Sequence, residues 1–86
     1  MTYKIEPSAC GHFIVFMDYN PKKVVELADK LDADPKLYFS EYRGNKKANI
    51  HSLHLRITDE ELRCADEPTK KAYIDAICKP ILSDEA

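Results

Sequence analysis

Four side chains have the softness and spacing to hold a metal ion or to activate a nucleophile: Cys10 with His12, and His51 with His54. A thiol beside an imidazole can lose its proton and become a nucleophile, and cysteine with histidine is a donor set for zinc. Spacing argues against both. His51 to Ile57 reads as a strand, and residues three apart on a strand point to opposite faces, so the two histidines cannot meet at one ion. His51 is expected to fill an edge of the core and His54 to lie on an open face. Zinc modules also carry closely spaced cysteine pairs, and this sequence has none. No third residue is placed to orient His12 against Cys10, and a chain this short offers little wall for a substrate pocket.

Other catalytic patterns are missing as well. The glycines are Gly11 and Gly44 alone, so no phosphate-cradling loop can be written. No serine sits in a nucleophile elbow. The carboxylates Asp59, Glu60 and Glu61 read as the charged start of a helix. The expectation is a chain with no catalytic residue, no metal and no cofactor, and so not an enzyme.

The three cysteines, Cys10, Cys64 and Cys78, are odd in number and widely spaced. That argues against a disulfide framework and for reduced thiols in a cytoplasmic protein. Cys78, among Ile74, Ile77 and Ile81, is expected in the core, and Cys64 half-buried. The N-terminus shows no signal-peptide or transit-peptide character, and no apolar run approaches the length that spans a bilayer. The 86 residues are 44% hydrophobic and 33% charged, a composition expected of a single domain, 1–86, and too apolar for disorder.

The elements that must position these residues follow from periodicity. Tyr3 to Glu6 can form a short edge strand. His12 to Tyr19 alternates Phe13, Val15, Met17 and Tyr19 with Ile14 and Phe16. Both sides are apolar, so a central strand covered at least partly on each face is expected. Asn20 and Pro21 start a helix whose stripe is Val24, Leu27, Ala28 and Leu31, ending before Pro35.

Lys36 to Arg43 and Asn49 to Ile57 form a hairpin turning within Gly44 to Lys47. An odd-length loop would keep Leu37, Phe39, Leu53 and Leu55 on one face. Thr58 with Glu61 reads as a capping box for a helix over Asp59 to Ala65. A further helix runs from Pro68 to Cys78, ended by Pro80, with a frayed tail from Ser83. The expected fold is a small α+β ββαββα domain, a four-stranded antiparallel sheet with helices on one face. The alternative drops the first strand and leaves a truncated ferredoxin-like βαββα.

Charge is unevenly spread within a net of -2. The hairpin from Lys36 to Ile57 carries +4, and Thr58 to Glu67 carries -4. The open face of the hairpin is expected to display Tyr38, Ser40, Tyr42, Ile50, Ser52, His54 and Arg56. Tyr38, Tyr42, His54 and Arg56, with Lys46 and Lys47 at the turn, form the candidate partner-binding set, since tyrosine and arginine are enriched in binding hot spots. The expected role is a small protein–protein interaction module, an inhibitor or regulator of a larger protein or nucleoprotein complex, by analogy with those of phages and mobile elements. Its partner is another protein or a second copy of itself. The alternative is single-stranded nucleic acid, with rings stacking on bases and lysines meeting phosphates. The negative net charge, the absence of an RNP1-type motif and the acidic run beginning at Thr58 weigh against it. No membrane partner is expected.

Overall fold

Alternation along two central strands sets the architecture. In β2 (His12–Asp18) Phe13, Val15 and Met17 are buried, and in β4 (Ile50–Ile57) His51, Leu53, Leu55 and Ile57 are buried. The strands pair antiparallel, placing Phe13 opposite Leu55, Val15 opposite Leu53 and Met17 opposite His51. These side chains therefore share one face. This computed structural model describes residues 2–9 and 11–83. Cys10, and with it any thiol chemistry beside His12, lies outside the described residues, as do residues 84–86 of the expected tail.

Two outer strands complete the sheet in the order β1-β2-β4-β3, with β1 (Tyr3–Pro7) beside β2 and β3 (Leu37–Asn45) beside β4. Ile5 of β1 sits opposite Val15 and is buried. The first strand thus forms, and the alternative without it gives way to the four-stranded α+β arrangement.

Helix α1 (Pro21–Ala33) starts as its sequence requires. The Asn20 side chain accepts from the Lys23 N–H at 3.2 Å, and Pro21 occupies a position that needs no donor. Val24, Leu27 and Leu31 are buried, with Ala28 packed beside them. Helix α2 (Glu60–Arg63) is a single turn capped by Asp59, whose carboxylate accepts from the Leu62 N–H at 2.8 Å. The expected Thr58 cap is not used. The Thr58 N–H donates instead to the Lys36 carbonyl at 2.9 Å, tying it to the approach to β3.

Helix α3 (Glu67–Leu82) is longer than expected at both ends. Asp66 caps it, accepting from the Thr69 N–H at 3.0 Å, so Pro68 falls in the first turn, where no intrahelical donor is lost. Pro80 was expected to end the helix but lies inside it. A proline there removes one helical bond. Ile81 and Leu82 beyond it are 4% and 0% exposed, and their burial holds the last turn in place.

Ile74, Cys78, Ile81 and Leu82 of α3 join the α1 stripe and the inner strand residues in one buried cluster. Two tyrosines tie the helices at its rim. Tyr73 donates to the Asp34 carboxylate at 2.9 Å, and Tyr3 donates to Asp75 at 2.6 Å. Burial and the Asp75 bond push the Tyr3 hydroxyl up to about 12. Burial pushes the Cys78 thiol up to about 12 as well, which makes it an inert core residue. Cys64 is exposed rather than half-buried, because the single turn of α2 has no buried residue. Among the described residues no helix is long and apolar enough to cross a membrane.

The capping assignment is tested by denaturant midpoints. Asp59→Ala should cost about 1 kcal/mol, and Thr58→Ala clearly less. Ile74→Ala should cost more than either, about 2–5 kcal/mol. A larger loss for Thr58→Ala than for Asp59→Ala would contradict the assignment.

Candidate functional site

The candidate site is built on the β3–β4 hairpin. Its turn is Lys46 to Asn49, an even four residues rather than the expected odd number. Asn49 takes the left-handed φ of 56° that the turn demands, a conformation asparagine tolerates. Its N–H donates to the Lys46 carbonyl at 3.1 Å, and the Asn45 side chain accepts from the Ala48 N–H at 3.0 Å.

The odd residue is supplied within the strand instead. Phe39 lies opposite Leu55 and Glu41 opposite His54, so Ser40 is an inserted bulge. Its hydroxyl donates to the His54 carbonyl at 3.1 Å. Leu37 and Phe39 therefore do face inward with Leu53 and Leu55, through a different device from the one expected.

The bulge corrects the candidate set. Beyond it the alternation of β3 is reversed, and Tyr42 sits opposite Leu53 on the helix side of the sheet, not on the open face. There its hydroxyl lies 2.6 Å from Nδ1 of His51, and Tyr19 stacks on the same imidazole at 4.4 Å. Gly44, opposite His51, makes room: a Cβ there would overlap the Tyr42 hydroxyl. His51 is 1% exposed, and its Nε2 has no hydrogen-bond partner. Burial holds its pKa below the usual histidine value and pushes the Tyr42 hydroxyl upward.

Three candidates remain together on the open face. Tyr38 is opposite Arg56, whose guanidinium lies 5.3 Å from the tyrosine ring centre. His54 follows one row along, flanked by Glu41 on β3 and Ile14 on β2. Lys46 and Lys47 are exposed in the turn, at the end of the hairpin away from Tyr38. Among the described residues no group of three histidine, cysteine or carboxylate side chains is placed to hold a metal.

Sequence reasoning missed two residues at the centre of this face. Ile14 and Phe16 of β2 point away from the buried cluster and are half-buried. The signal was the apolar character of both faces of β2, read there as at least partial cover on each side and not as a binding surface. Among the described residues no helix lies over the outer face, since every buried helix residue belongs to the inner cluster. Neighbouring charges shelter it in part: the Lys4 ammonium lies 5.7 Å from the Phe16 ring centre and 3.1 Å from Glu6. On the opposite edge Glu41 pairs with Arg43. No family model, curated protein or solved structure gives a significant match to this chain.

His51 gives the fold a defined pH response. A histidine whose folded pKa is depressed contributes stability above its unfolded value, near ~6.5, and that stability is lost as pH falls toward the folded value. Comparing wild type with His51→Gln at about pH 7.5 and about pH 5.5, the advantage of wild type should shrink on acidification. An advantage that stays constant across this window would contradict the burial of a neutral imidazole.

Proposed function

We propose that this chain is a non-catalytic protein-binding module that docks its partner on the open face of the sheet. The observation that carries the reading is a sheet covered on one side only, with Ile14 and Phe16 at the middle of the uncovered side. Tyr38 and Arg56 stand beside them, residue types that concentrate binding energy when a partner excludes water. The Lys4–Glu6 and Glu41–Arg43 pairs flank this strip as a polar rim. A role as an inhibitor or regulator fits a small binding surface of this kind, and reduced thiols fit a cytoplasmic setting.

Nucleic acid is the weaker reading on this geometry. Tyr42 lies on the other side and Phe16 replaces it as a ring on this face, so the weighing falls to charge. Lys4 and Arg43 are already paired with carboxylates, and Glu6, Glu41 and Asp18 share the face and would repel phosphates.

The test is capture from the source cell with wild type, with Phe16→Asp, and with the pair Tyr38→Ala/Arg56→Ala. Val25→Glu serves as the control, since Val25 is 60% exposed on α1. The open-face variants should weaken capture of the partner protein by about 2 kcal/mol at the best position, with Val25→Glu unchanged. Capture that survives all open-face changes would overturn the proposal. Nuclease-sensitive material bound to wild type would favour nucleic acid instead.

A further inference from the structure

A second surface lies along the edge of the sheet. The Ile57 N–H donates to the Gly11 carbonyl at 2.9 Å, on the β2 side. Alternation then turns the backbone groups of His51, Leu53 and Leu55 toward β2, and those of Ile50, Ser52, His54 and Arg56 toward β3. Their partners on β3 are Asn45, Arg43, Glu41 and Tyr38. Phe39, Tyr42 and Gly44 therefore turn their N–H and C=O groups outward from the sheet, and β3 is the last strand on that side. Every residue from Ser40 to Asn45 is exposed.

The two edges are not equivalent. β1 is five residues long and ends in Pro7, which cannot donate. β3 is nine residues long and free of proline. Charge is arranged along it: Lys36 stands at its start, Lys46 and Lys47 at its end, and the intervening Glu41 is neutralised by Arg43.

We propose that the β3 edge accepts an extended acidic segment of a partner protein as a fifth strand. Main-chain bonds to Tyr42 and Gly44 supply the docking strip, with Phe39 beyond the bulge, and the terminal lysines select carboxylates at the ends of the segment. A second copy of this chain fits less well. A two-fold pairing centred on Tyr42 would set Gly44 against the bulged Ser40, whose hydroxyl is turned inward onto His54.

The experiment uses the full chain and a capped peptide of alternating valine and threonine with paired glutamates at each end. Two control peptides carry either N-methyl groups on alternate amides or lysine in place of glutamate. The glutamate peptide should slow hydrogen exchange at the amides of Phe39, Tyr42 and Gly44. The N-methylated and lysine peptides should bind at least tenfold more weakly, as should the glutamate peptide to Lys46→Glu/Lys47→Glu. Failure to bind, or equal binding of the N-methylated peptide, would overturn the proposal. So would protection of these amides by dimerisation of the free protein. Binding read instead at Ile14, Phe16 and His54 would also overturn it, while leaving the open-face reading intact.

Discussion

The inward side chains of β2 and β4 hold every other element in place. Phe13 against Leu55 and Val15 against Leu53 form the strip on which α1 and α3 pack. Cutting back one such buried side chain costs about 2–5 kcal/mol, a large fraction of the stability of a small domain. Among the described residues the two substantial helices, of 13 and 16 residues, are both committed to this one side. The other face carries the Lys4–Glu6 and Glu41–Arg43 pairs.

The Ser40 bulge divides β3 into two parts with opposite facing. Near the base, Phe39 packs inward and Tyr38 meets Arg56 outside. Toward the tip, Tyr42 faces inward and Glu41 and Arg43 outward. The inner tip is built of rings: Tyr19, directly before the Asn20 cap of α1, stacks on His51, and the Tyr42 hydroxyl closes over the imidazole in the space Gly44 leaves. One inserted residue thus moves a tyrosine from the candidate binding face to a packing role.

Much of the fold was legible because it rests on local chemistry and period. The Asn20-Pro21 start, the Val24-Leu27-Leu31 stripe and the alternation of Leu53, Leu55 and Ile57 each announce their element. The need to keep Leu37 and Phe39 with Leu53 and Leu55 was also readable, but not the means. A loop and a bulge correct the alternation equally well, and only the bulge reverses Tyr42. Pro80 misled because helix propensity is local, whereas the burial of Ile81 and Leu82 depends on the sheet they pack against. Thr58 was the capping box by spacing, yet the N–H groups of Thr58 and Asp59 both bond the Lys36 carbonyl, and the cap is the Asp59 carboxylate one residue on. Of the candidate site, Tyr38, His54 and Arg56 were legible. Ile14 and Phe16 were not, because an apolar side chain on a strand does not say whether its cover is supplied by the same chain.

The sorting of the two tyrosines is the claim on which both the open-face and the edge readings stand. Nuclear Overhauser contacts of the ring protons test it directly. Tyr42 should show contacts to the His51 and Tyr19 rings and none to Arg56, whereas Tyr38 should show contacts to the Arg56 side chain. Contacts that join Tyr38, Tyr42 and Arg56 on one surface, with His51 free of Tyr42, would contradict the account.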